Sequence, residues 1–213
     1  MRPSLFALVT LTSTLFVPLA ANAAPKKGEF VCTQVMGVSV TGDWFGAGFE
    51  SGNDDARWQA ISRHHGFVQF WADAKDPIWK EPLVSPCAKN SDKPDRIILT
   101  TVNWEYKTTD EWVAVITKAV KTLKDKYPSL KRLELLTIMR GPGNKTCGND
   151  QMTVVQPILD EAQTKVAAAF PKLVTVGPKF EAPSCEIFTK GGPHYTAEGM
   201  AKAANVYAAH YLK

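Results

Sequence analysis

The chain has 213 residues, of which 45% are hydrophobic and 22% charged, and its formal net charge is +4. That length permits one domain with a proper core. Its lysines cluster only loosely (Lys118, Lys121, Lys124, Lys126, Lys131) among acids and apolar residues. Nucleic-acid binding calls for a denser basic stripe on a recognisable module, so that class of partner is set aside.

Residues 1–23, MRPSLFALVTLTSTLFVPLAANA, combine Arg2, an apolar stretch from Leu5 to Leu19 and a small-x-small Ala21-Asn22-Ala23. This reads as a cleaved signal peptide, because the apolar stretch is short for a membrane span. Cleavage after Ala23 removes Arg2 and no acid, leaving +3 on a single exported, periplasmic or secreted domain over 24–213.

Strand-like and helix-like segments then alternate. Residues 31–40, VCTQVMGVSV, read as a first strand. Residues 53–65 open on Asn and Asp and space Trp58, Ile61 and His65 at helical intervals, predicting a helix that Gly66 stops. The bulky FVQFWA of 67–72 predicts the second strand. A long Pro-containing loop occupies 73–94, and RIILTTV at 96–102 is a third strand. A helix follows from Thr109 to about Tyr127, then a fourth strand at 132–139. Further elements are a helix at 153–169, a fifth strand at 172–177 and a closing helix from Thr196 to Leu212. Strands separated by helices predict a five-stranded parallel sheet covered on both faces, an α/β flavodoxin-like three-layer sandwich. In such sheets ligands bind beyond the carboxyl ends of the strands.

Three polar residues fall at those ends. Ser39 lies where the first strand breaks into the Gly-rich GVSVTGDWFGAG, Asn103 ends the third strand, and His194 precedes the last helix in GGPHYTAEG. Together these blocks resemble the SGNH (GDSL-like) hydrolases. That family carries a GDS-x-T block after the first strand, a GxND block after the third, and a DxxH followed by x-T-x-x-G before a closing helix. Gly37, Ser39 and Thr41 match the first block, Asn103 the second, and His194, Thr196 and Gly199 the last. The resemblance implies a serine esterase with Ser39 as nucleophile and His194 as its base. Asn103 and the backbone N–H of Ser39 would then form an oxyanion hole. It implies no metal or organic cofactor. The substrate expected is a small acyl ester or an acylated glycan.

Departures from the pattern are equally visible. The family's acid, three residues before the His, is replaced by Gly191. A Ser-His dyad held by a backbone carbonyl, or an acid from the loop such as Glu181 or Glu186, is the expected substitute. The family's oxyanion Gly after the second strand is not evident in ADAKD, where Ala72 or Ala74 offers a backbone N–H instead. If the site had decayed, the domain would bind a glycan or partner protein without catalysis.

Four cysteines, Cys32, Cys87, Cys147 and Cys185, suggest disulfides in an exported chain. With strand order 2-1-3-4-5, Cys32 and Cys87 fall at the amino end of the sheet, while Cys147 and Cys185 fall at the carboxyl end. Only the pairs Cys32–Cys87 and Cys147–Cys185 then lie within bridging distance.

Overall fold

The structure, a computed structural model, describes residues 29–49, 56–63, 66–138, 140–144, 147, 156–190, 192 and 194–212. The leader-like segment 1–23, His64, His65 and Gly191 lie outside the described residues.

Five parallel strands form the sheet: β1 (Thr33–Val38), β2 (Trp58–Arg63), β3 (Arg96–Thr100), β4 (Arg132–Leu136) and β5 (Val174–Val176). Their order is β2-β1-β3-β4-β5, as the alternating pattern predicts. Every residue of β1 and β3 is buried, which suits near-continuous apolar runs covered on both faces. The main helices are α3 (Thr109–Lys126), α4 (Gln156–Ala169) and α5 (Ala197–Tyr211). Helix α3 is opened by a capping box between Thr108 and Glu111, and buries Trp112, Val115, Ile116, Ala119, Val120 and Leu123. No helix among the described residues is long and apolar enough to cross a membrane.

Two assignments near the second strand are corrected. Residues 58–63 form β2 rather than part of a helix, and 68–72 form a short helix, α2 (Val68–Ala72), rather than a strand. In β2 the polar Gln59 is fully buried, with its amide donating to Gln34 Oε1 and the Ser91 carbonyl, and its own Oε1 accepting from Cys87 N–H. Those partners satisfy the group inside the sheet. In α2 the buried residues are Val68, Trp71 and Ala72, the spacing of one helix face.

Both disulfides join the expected partners. Cys32–Cys87 has its Cα atoms 5.8 Å apart and Cys147–Cys185 5.3 Å apart. Each closes a loop of tens of residues, worth up to about 4 kcal/mol of constraint on the unfolded chain.

Candidate active site

The first block is built by a close approach. After Val38 the chain turns directly into a short helix, α1 (Ser39–Trp44), so Ser39 is the first helical residue at the carboxyl end of β1. A Cβ on Gly37 would lie 2.4 Å from Thr41 Oγ1 and 2.7 Å from Thr100 Cβ. Glycine therefore lets α1 fold back onto β1 and β3, where Thr41 Oγ1 donates to Thr100 Oγ1 at 2.9 Å. The Gly and Thr flanking the serine hold the turn that presents it.

His194 is carried by a tight hairpin-like loop. Phe188 and Tyr195 pair antiparallel and stack their rings at 4.7 Å, and Thr189 N–H donates to the His194 carbonyl at 2.7 Å. Thr196 caps α5 by accepting from Gly199 N–H at 3.2 Å, while its hydroxyl donates to the Ile187 carbonyl at 3.0 Å. The same carbonyl also accepts Thr196 N–H at 2.8 Å. These bonds clamp the loop to the start of α5.

Though 155 residues apart in sequence, Ser39 Oγ and His194 Nε2 stand 3.3 Å apart. On the other side of the ring, Nδ1 meets Asp43 Oδ2 at 2.9 Å, and the same oxygen accepts Tyr195 N–H at 3.3 Å. A carboxylate can only accept here, so Nδ1 bears the proton and Nε2 turns its lone pair toward the serine hydroxyl. His194 is 38% exposed and Asp43 20%, so the histidine is open to a solute while its carboxylate partner is more enclosed.

The acid is therefore not absent, which corrects the expectation of a dyad or of help from the histidine's own loop. Glu181 instead accepts Gly143 N–H at 2.8 Å, and Glu186 sits in a short turn capped by Ser184. The carboxylate comes from Asp43, one helical turn beyond Ser39. The Gly-rich stretch reads as an open turn in sequence, yet Ser39 and Asp43 are four residues apart on a helix and so share a face. That spacing was the available signal.

Asn103 follows β3, beside β1, and is 2% exposed. Its Oδ1 accepts a short bond from Glu105 N–H, and its Nδ2 donates to Gln69 Oε1 at 2.5 Å. A second asparagine at a strand end, Asn144, lies beyond β4, one strand further from Ser39. Ala72 and Ala74 change place with the corrected second strand. Ala72 is buried in the last turn of α2, and Ala74 lies in the exposed turn beyond it rather than at a strand end. The small residue that does follow β2 is Gly66, which is buried and whose carbonyl accepts Trp71 Nε1–H at 2.9 Å.

The Cys147–Cys185 bridge ties the segment after β4 to the chain nine residues before His194. Opening it with reductant, or with a Cys147→Ser/Cys185→Ser pair, is expected to lower any turnover severalfold while the sheet remains folded. Far-ultraviolet circular dichroism alongside turnover checks this. Unchanged turnover after confirmed reduction of that bridge would show that the loop does not depend on it.

No protein-family model and no curated protein sequence matches the chain. Solved structures do. LAE5, an alpha/beta hydrolase enzyme from the metagenome of Lake Arreo, Spain, aligns at 13% identity with a TM-score of 0.54, covering 89% of this chain and 96% of that one. A carbohydrate esterase family 3 protein from Talaromyces cellulolyticus aligns at 11% identity with a TM-score of 0.50, covering 82% and 93%. In fold, the chain is an α/β/α domain on a five-stranded parallel sheet, similar to those two structures.

Proposed function

We propose that this protein is an exported serine esterase that hydrolyses a small acyl ester by way of Ser39, His194 and Asp43. The observation that carries the reading is the continuous Ser39–His194–Asp43 hydrogen-bonded chain. His194 Nε2 takes the hydroxyl proton as Ser39 Oγ attacks the acyl carbon. The oxyanion that forms is met by the backbone N–H of Ser39, one of the N–H groups a helix start leaves without an intrahelical partner, and by Asn103 Nδ2. Collapse expels the alcohol, which receives its proton from His194. Water then enters, gives a proton to His194 and attacks the acyl-enzyme, releasing the acid and restoring Ser39. Throughout, Asp43 fixes the ring and stabilises the imidazolium.

An O-acetyl group on a glycan is the substrate favoured. The carbohydrate esterase of similar fold supports it. So does Trp104, half-buried beside Asn103 with its ring 4.2 Å from that of Phe67, where a sugar face can stack. Export is supported by the leader-like first 23 residues and the two disulfides. Against the alternative of a decayed, purely binding domain stands Asp43, which gives His194 the carboxylate partner that position 191 does not.

The test is hydrolysis of short-chain p-nitrophenyl esters and of acetylated xylan by the mature protein and by Ser39→Ala. Turnover is expected for the former, with a loss of at least about 10³-fold in the variant. Equal rates for the two proteins would overturn the reading.

A further inference from the structure

We propose that Gln69 is a positioning residue of the oxyanion hole, acting through Asn103; this rests on the esterase reading above. The argument begins with a group whose role is unambiguous. Glu105 N–H can only donate, so the Asn103 atom it meets is Oδ1, and the other end of the amide is Nδ2. Nδ2 in turn can only donate, so Gln69 presents Oε1 to it, at 2.5 Å. The Asn103 amide is thus gripped at both ends, by a backbone N–H from its own turn and by a side chain from the first turn of α2.

Nδ2 carries two protons. Gln69 engages one, and the geometry of a planar amide then fixes the direction of the second. Register places that direction in context. Strands β1 and β3 are paired neighbours, Ser39 follows β1 directly and Asn103 lies three residues past the end of β3, so both belong to the carboxyl end of adjacent strands. The free proton is the one available to an acyl oxygen bound over Ser39. Without Gln69 the amide is held only by the Glu105 contact and swings about its last torsion, spending much of its time with the second proton misdirected.

Helix α2 is itself anchored for this task. Val68 N–H donates to the Val102 carbonyl at 3.3 Å, linking the start of α2 to the residue before Asn103. Trp71 Nε1–H on the Gly66 carbonyl ties the same helix to the end of β2. Gln69 lies between these two ties and is only half-buried, so its side chain is not part of the packed core.

The test compares wild type, Gln69→Met, Asn103→Ala and the double variant. Gln69→Met keeps side-chain length and helix preference while removing the acceptor. It is expected to lower kcat by about tenfold with KM within about twofold, a smaller loss than the roughly 10²–10³-fold for removing an oxyanion donor outright. In the Asn103→Ala background the same substitution is expected to change nothing further, because its effect passes through that amide. A second readout does not need turnover. The Asn103 side-chain NH₂ resonances, identified by their loss in Asn103→Ala, are expected to be well separated and slow to exchange in wild type, and to collapse toward solvent-like values in Gln69→Met. Wild-type kcat in Gln69→Met, an equal loss in both backgrounds, or an unmoved amide signal would each overturn the proposal. Failure of the esterase reading shows separately, as equal rates for wild type and Ser39→Ala, and the amide signal still reports on Gln69 in that case.

Discussion

Asp43→Ala is expected to lower kcat by roughly 10⁴-fold, with little change in KM. The carboxylate is the hydrogen-bond partner of Nδ1 at 2.9 Å, so its removal frees the ring to turn and to exchange tautomers. It also leaves the imidazolium formed during acylation without its counter-charge. Asp43→Asn separates these two effects. Tyr195 N–H donates to the same carboxylate oxygen, which favours keeping an amide oxygen in that position and hence the productive tautomer. The Asn variant is therefore expected to fall between wild type and Asp43→Ala, its loss reporting mainly the missing charge. Steady-state kinetics on a p-nitrophenyl ester decides the matter. Asp43→Ala with wild-type kcat would remove Asp43 from the mechanism.

Gly199→Ala is expected to disable the protein by a different route. A Cβ there would stand 2.3 Å from the Ile187 carbonyl oxygen and 3.1 Å from the Tyr195 ring. The oxygen is backbone and already accepts two bonds from Thr196, so relief requires the His194 loop and the start of α5 to move apart. Overpacking of this kind costs about 1–3 kcal/mol, and displacing a reacting group by around 1 Å costs about 10²-fold in rate. Both a lower Tm and a kcat reduced by about that factor are expected. Gly46→Ala is the control, since a Cβ at Gly46 meets nothing within 4 Å. Wild-type kcat in Gly199→Ala would show that the loop absorbs the clash without moving His194.

The sheet order was legible in the sequence because strands such as RIILT and RLELL are short, largely apolar segments separated by helices. The disulfide pairing followed from that order alone. Around the second strand the local signals pointed the wrong way. Trp58 and Ile61 stand at a helical interval, yet β2 buries both faces, so a three-residue spacing carries no information about which face is apolar. Gln59 looks like a surface residue until its partners Gln34, Ser91 and Cys87, distant in sequence, are brought alongside. In FVQFWA the β-favouring side chains outweighed a helical pattern at Val68, Trp71 and Ala72 that was equally present. At the site, the serine and histidine were found from their flanking Gly and Thr residues, and the asparagine from its place at the end of the third strand. The aspartate was missed because its role depends on α1 being helical, and glycines at 42 and 46 argue locally for a turn.

Because α1 carries both Ser39 and Asp43, two of the three groups of the relay arrive on one rigid turn and only the histidine must be delivered from elsewhere. Assembly of the relay is then a single docking event, that of the 187–196 hairpin onto α1, instead of the meeting of two independent segments. The stretch just upstream of the histidine is released from supplying an acid and is free to be glycine. A motif filter that demands aspartate three places before the histidine discards such a chain, whereas one that asks for a serine and an aspartate four apart at a strand end would retrieve it.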